Sequence, residues 1–225
     1  MGLLVALAAV AACQAGAVGA VQIPPQEAEA VVREHTLPDR AAKCGGVESA
    51  WRQASTQRDR ERLRNWRTTW LDAVARAKAG GGGEAIARDE MLYDPDRALD
   101  NPIIPAGNYR CRIIKLGAKR PVNRNFVELP AARCTVGQDD GETWFTVNDG
   151  TQRPIGRFFA GPPGRGVFLG TLELGDERLP LEYGVDAKRN MIAYLDRIGE
   201  ARWRLIVPEP QFDAVAELVE ITPER

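Results

Sequence analysis

From Gly107 onward, short runs rich in Val, Ile, Phe, Tyr and Trp alternate with clusters of Gly, Pro, Asn and Asp. This spacing predicts β-strands near 108–116, 126–136, 143–148, 152–160, 166–174, 190–198, 201–207 and 217–222. DDGE at 139–142 and IGEARW around Gly199 read as hairpin turns. About eight sequential strands joined by short links form an antiparallel meander. A meander leaves two edges of unpaired N–H and C=O groups, so it must close into a barrel or fold into two packed sheets.

The preceding segment follows a different period. Residues 47–79 read as helix: Ser55 or Thr56 can cap it, Asp59 stands three after Thr56 at capping-box spacing, and Leu63, Trp66, Trp70, Val74 and Ala77 recur at steps of three and four. Arg60, Arg64, Arg67 and Arg76 occupy the opposite face. Such a Trp stripe is the buried face of an amphipathic helix. GGGG at 80–83 is expected to stop the helix, and a second short helix is expected from Glu84 to Leu92. The large apolar surface available to these helices is the outside or the end of the β-domain. The predicted fold class is therefore α+β, mainly β, with N-terminal amphipathic helices packed on a barrel-like or two-sheet meander of about eight strands.

The first twenty residues carry no charge, and Leu3 to Ala12 form an apolar run shorter than the roughly 20 residues that span a bilayer. This fits the core of a signal peptide. Two processing routes are open. Val18-Gly19-Ala20 suits cleavage before Val21, whereas Val10-Ala11-Ala12-Cys13 resembles a lipobox, which makes Cys13 a lipidation candidate and gives the protein a membrane tether. Either route exports the protein, to the periplasm or to a lipid-anchored position in the bacterial envelope. Residues 21–46 mix Pro, Gly and charge and read as a flexible tether. The expected organisation is thus 1–20 signal, 21–46 tether, 47–104 helical segment and 105–225 β-domain.

An oxidising compartment bears on the cysteines. Arg110 and Arg112 flank Cys111 and would activate a thiol only if they pointed at it, but strand neighbours alternate faces. Cys111 shares its face with Tyr109 and Ile113, and Cys134 shares its own with Ala132 and Val136. Setting Cys111 opposite Cys134 brings Tyr109 to Val136 and Ile113 to Ala132, so the two apolar faces match. A Cys111–Cys134 disulfide between neighbouring antiparallel strands follows. Cys44 is then either free or a rival partner.

Several kinds of chemistry are disfavoured. A net charge of −1 gives no basic excess for nucleic acid. The one histidine, His35, lies in the tether, which leaves no Ser-His-Asp triad and no two-His metal site within the domain. The four cysteines lack CxxC spacing, and GGGG lacks the Lys and Ser/Thr of a phosphate loop. No metal or cofactor is expected, and no catalytic residue is assigned. The carboxylates Asp176, Glu177 and Asp196 could serve a hydrolase only if two of them faced each other across a cleft. In GTQRPIGR, Gln152 and Arg153 are ligand-binding candidates; otherwise Arg153 pairs with a nearby carboxylate while Pro154 and Gly156 shape a bend. The leading reading is a non-enzymatic envelope protein whose β-domain binds a small apolar ligand or an envelope protein. The alternatives are a carboxylate-dependent hydrolase and a structural or inhibitory module acting through its surface.

YRCRIIKLG, ARC at 132–134, GTQRPIGR, VFLGTLELGDE, RIGEARWRLIVPEPQF and ELVEITP occur in this order after DRERLRNWRTTWLDAV. Over residues from about 51 to 223 the chain resembles the bacterial exported family called domain of unknown function 4893. The resemblance implies one domain unit and brings no activity, cofactor or catalytic residue with it.

The tether reading predicts that limited proteolysis of the exported protein removes residues up to about 46 and leaves a remainder of unchanged unfolding midpoint. Loss of cooperative unfolding after that cut contradicts the boundary.

Overall fold

A computed structural model describes residues 50–175, 177 and 179–224. The signal, lipobox and tether expectations, with Cys13, His35 and Cys44, lie outside the described residues, as does Asp176.

Nine antiparallel strands follow one another: β1 (Gly107–Ala118), β2 (Phe126–Glu128), β3 (Ala132–Asp139), β4 (Glu142–Val147), β5 (Gln152–Ala160), β6 (Arg165–Leu174), β7 (Asn190–Gly199), β8 (Arg202–Pro208) and β9 (Ala214–Pro223). β9 returns to pair with β1 along most of its length, from Tyr109↔Pro223 to Ala118↔Ala214. The sheet therefore closes as an eight-stranded barrel, with β2 as an extra strand. The expected single strand over 126–136 is two strands. Pro130 offers no N–H to a ladder, and the chain crosses from β2, opposite Ile114–Leu116, to β3, opposite Gly107–Cys111.

The disulfide joins Cys111 and Cys134, with 5.9 Å between the Cα atoms. Its register differs from the expected one. Cys111 faces Ala132 and Cys134 faces Tyr109, so the bond runs diagonally between neighbouring pairs. The shift is two residues, which keeps every side chain on its face. Arg112 points outward to Glu220 and Glu128 rather than toward the sulfur.

Inward residues of all eight barrel strands fill the interior. Phe145, Phe158 and Phe168 form a triangle of rings with centroids 5.7–5.9 Å apart, and the Tyr109 ring meets Trp203 edge-on. Gly156 and Gly170 stand opposite each other on β5 and β6, and a Cβ on Gly170 would lie 2.7 Å from the Phe168 ring. This pair of glycines makes room for the aromatic cluster.

Helices cover the outside. α1 (Ala50–Ala54) and α2 (Gln57–Arg64) lie over β6 and β7, where Trp51 and Leu63 pack on Val167, Leu169 and Ile192. Thr56 caps α2 as expected, accepting from the Asp59 amide. α3 (Trp66–Ala77) lies over β1, β8 and β9, burying Trp70, Ala73 and Ala77 against Ile114, Leu116, Ile206 and Leu218. The glycine run stops the helix as expected: Gly80 (φ −98°, ψ 25°) and Gly81 (φ 98°, ψ −2°) leave helical geometry. The kink over Lys78–Gly82 leads directly into α4 (Gly83–Arg88), and α5 (Glu90–Tyr93) follows. A Cβ on Gly80 would lie 2.4 Å from Asn125 and one on Gly82 2.6 Å from the Phe126 ring. The glycines thus let this kink touch β2 and the loop before it.

Two buried arginines fasten this layer. Arg62 of α2 donates to the Pro208 carbonyl at 2.9 and 3.1 Å, to Asp59 at 2.7 Å and to the Asn190 carbonyl at 3.3 Å. Arg204 of β8 points outward, donating to the Leu92 and Arg97 carbonyls and to Asp196. Arg62 exchanges hydration for carbonyls of the barrel strands, and Arg204 for carbonyls of the helical segment, so each layer holds the other.

Trp70 is fully buried and donates its Nε1–H to the Tyr93 carbonyl at 3.0 Å. Trp70→Ala is expected to cost about 3–5 kcal/mol in urea unfolding. Trp66→Ala, whose partly covered ring meets Tyr194 edge-on, is expected to cost less. Equal losses contradict this packing.

Candidate functional site

The barrel has two chemically different ends. The entry end is where β1 begins, beside the hairpins at 139–142, 160–165 and 199–202; the far end carries the loops 119–125, 148–151, 175–189 and 209–213.

At the far end the inward stripe turns polar. Lys115 continues the inward phase of Tyr109, Cys111 and Ile113, and Glu217 continues that of Val219 and Ile221. The two are register partners across β1 and β9. They line a depression with Gln152, Asn190 and Arg62, over a floor of Leu172, Met191 and Val207. Its volume of about 20 Å³ holds one water molecule. Burial pushes the Glu217 carboxyl up to about 7 against the opposing charge of Lys115. Lys115 also lies 3.9 Å from Asp213. The hole is too small for a substrate, so this polar plug closes the barrel floor and takes up a proton near neutral pH.

Gln152 and Arg153 part company, as strand alternation requires. Gln152 lines the depression, whereas Arg153 pairs with Glu173 at 2.9 Å and donates to the carbonyls of Gly150, Gly175 and Glu177. Arg153 thereby ties the turn before β5 to the turn after β6.

The described carboxylates singled out by sequence do not converge. Glu177 accepts from Arg189 and from the Leu174 amide at 2.8 Å, and the Arg189 hydrogen bond holds its carboxyl below the usual range. Asp196 is fully buried on the outer face of β7, 2.9 Å from Arg204 and 3.4 Å from Arg165. Burial pushes its carboxyl up while Arg204 and Arg165 oppose the rise. Asp196 faces Arg165 at the start of β6, and Glu177 follows the end of that strand. The rise of a strand over the intervening residues sets them about 30 Å apart. Among the described residues no group of three His, Cys, Asp or Glu is placed to hold a metal ion.

The entry end carries an apolar groove of about 460 Å³. One wall is the segment Asn101–Ile104 leading into β1; the other is the β5–β6 turn from Phe158 to Gly166, with Gln138 and Thr143 at the side. Ile104 is buried in the barrel mouth, while its neighbour Ile103 is 66% exposed on the rim. The Tyr109 hydroxyl donates to the Pro105 carbonyl at 2.7 Å and holds this segment in place. Arg165, at the groove's inner edge, stacks on Trp66 at 4.2 Å and donates to the Pro95 carbonyl; its Nη1 has no hydrogen-bond partner and is shut off from solvent.

Sequence reasoning touched the far end through Gln152 alone and missed the entry end, although each left a further trace. Lys115 and Glu217 interrupt apolar alternation in phase with the core. Ile103-Ile104 form an apolar pair between prolines in a segment otherwise made of turn residues.

This architecture defines a closed β-barrel domain with a side-chain-filled interior and a helical coat. Residues 51–221 match the family described as Domain of unknown function (DUF4893), and the chain belongs to that family. No curated protein and no solved structure matches it.

The Glu217 environment has a signed consequence. In the unfolded chain its carboxyl titrates at the ordinary 4.5, in the fold at about 7. Below pH 4.5 both states hold the proton and the site is neutral in effect. Between these values the native state holds more protons, so stability falls as pH rises, and above about 7 the penalty is complete. Glu217→Gln is expected to stabilise the protein at pH 8, by roughly 3 kcal/mol at most, and to change little at pH 4. Urea titrations at the two pH values measure the difference, and an equal effect at both contradicts the buried carboxyl.

Proposed function

We propose that this protein is a non-enzymatic binding module of the bacterial cell envelope. In this reading the barrel is a scaffold, and the entry-end groove receives a small apolar ligand or an apolar part of a protein partner. The observation that carries it is the contrast between a barrel interior filled by side chains and an open apolar concavity at the barrel's end. Concavities of this size and lining are where ligands lose most contact with water. Export is supported by the apolar N-terminal run and by the Cys111–Cys134 disulfide, a bond that persists in oxidising compartments. Within the hydrolase alternative, a pairing of Glu177 with Asp196 loses support, because Glu177 follows the end of β6 while Asp196 lies on β7 opposite its start. A surface-acting module remains compatible with the groove when the occupant is a protein.

The uncharged fluorophore Nile red tests the groove. It is expected to bind the purified protein, and Ile103→Asp is expected to weaken binding at least about tenfold, since the charge enters an apolar contact. Because Ile103 is mostly exposed, the unfolding midpoint should stay the same. Leu179→Asp, at an exposed apolar residue of the far end, should leave the dye's affinity unchanged. Insensitivity to Ile103→Asp removes the groove from consideration.

A further inference from the structure

The groove's rim restricts what can occupy it. The hairpin whose base supplies Gln138 and Thr143 is Asp139-Asp140-Gly141-Glu142, with three carboxylates and no cation. Asp100 immediately precedes the opposite wall. Asp100, Asp139 and Asp140 are exposed and have no ion-pair partner among the described residues; Glu142 pairs with Arg157. Unpaired like charges held around one opening raise its negative potential and favour cations there. The cations nearest the groove are already engaged: Arg165, in its lining, is turned inward to Asp196, Pro95 and Trp66 with its one unpartnered nitrogen sealed from solvent, and Arg197, beside the rim, donates to the carbonyls of Gly199, Glu200 and Asp100. An acyl chain with a carboxylate or phosphate head would therefore meet carboxylates at the mouth and, within, a guanidinium already engaged by Asp196, Pro95 and Trp66.

We infer that the occupant of the entry-end groove is a protein segment that presents a bulky apolar side chain flanked by Lys or Arg. The inference rests on the groove being the binding surface and adds the charge and class of what binds there. The apolar side chain enters between Ile103 and the Pro162-Pro163 turn, a rigid wall suited to an anchor residue. The flanking cations lie against Asp100 on one side and Asp139 and Asp140 on the other. Such rim charges steer encounter and discriminate between partners more than they add affinity, so the signature is a strong dependence on salt.

The test compares capped peptides Lys-Lys-Leu-Trp-Lys-Lys, Gln-Gln-Leu-Trp-Gln-Gln and Glu-Glu-Leu-Trp-Glu-Glu, with dodecanoate, each titrated against the full exported chain at low and high salt. The Lys-flanked peptide is expected to bind at least about fivefold tighter than the Gln-flanked one at low salt, with the difference lost at high salt. The combined variant Asp100→Asn, Asp139→Asn, Asp140→Asn is expected to erase that preference while leaving Nile red binding intact. Asn tolerates the left-handed backbone of Asp140 (φ 46°), so the turn survives. Glu84→Gln, on an exposed helix position, controls for general attraction to carboxylates and should change nothing. Equal binding of all three peptides, sensitive to Ile103→Asp, overturns the charge inference and keeps the groove. Dodecanoate binding tighter than the Lys-flanked peptide overturns the peptide in favour of a lipid. A Lys preference that Ile103→Asp leaves unchanged overturns both.

Discussion

Everything in this domain depends on the pairing of β1 with β9. A meander of this length ends in two exposed strands, and their mutual hydrogen bonding removes both edges. Closure gives every barrel strand a sealed inner face, which permits an interior of Phe, Ile, Val and Trp in a small domain. It also sets Lys115 beside Glu217, because the register that seats Val219 and Ile221 in the core leaves no other position for that carboxylate. β1 bears a further load on its other edge, shared between β3 near the entry end and β2 toward the far end. The disulfide lies on the β3 side of this divided edge.

A filled barrel leaves no room for a ligand inside. Barrels of this strand number are wide enough either to be packed by side chains or to hold one small ligand. Here the aromatic triangle takes the space, and the two openings differ in kind: the far end is stopped by a titrating polar plug, the entry end by Ile104 beneath an apolar groove. The helices spend their apolar faces on the outer surfaces of β6–β7 and β1–β8–β9, and α2 reaches the far end through Arg62.

Sequence patterning revealed the strands, the two hairpin turns, the Thr56 cap and the cysteine pairing, since each rests on local periodicity or a short spacing. The register around the disulfide escaped it because a two-residue shift preserves the faces, and only the full ladder distinguishes the two alignments. Pro130 carried the information that one strand was two, but a proline within a run is also compatible with an edge strand. The glycine run was legible as a helix stop, but its second role, the close approach of Asn125 and Phe126, lies across the molecule. Arg62 and Arg204 were illegible for the same reason. An arginine on a helix or strand reads as solvated until the carbonyls that receive it, from Pro208, Leu92 and Arg97, are brought together by the fold. The groove lay in a segment without periodicity, where Ile103 and Ile104 were the sole hint.

The buried arginines carry a consequence for the smallest piece of this chain that can exist alone. A fragment starting at β1 would keep Arg204 and Asp196 on the outer barrel wall while losing the Leu92 and Arg97 carbonyls that share the guanidinium. It would also expose Ile114, Leu116, Ile206 and Leu218 as a continuous greasy flank. The helical coat is thus not an appendage that recombination could exchange for another. The family match starting at residue 51, within the first helix rather than at the first strand, marks the same boundary. Coat and barrel therefore make one unit, held together by the clamp between the layers.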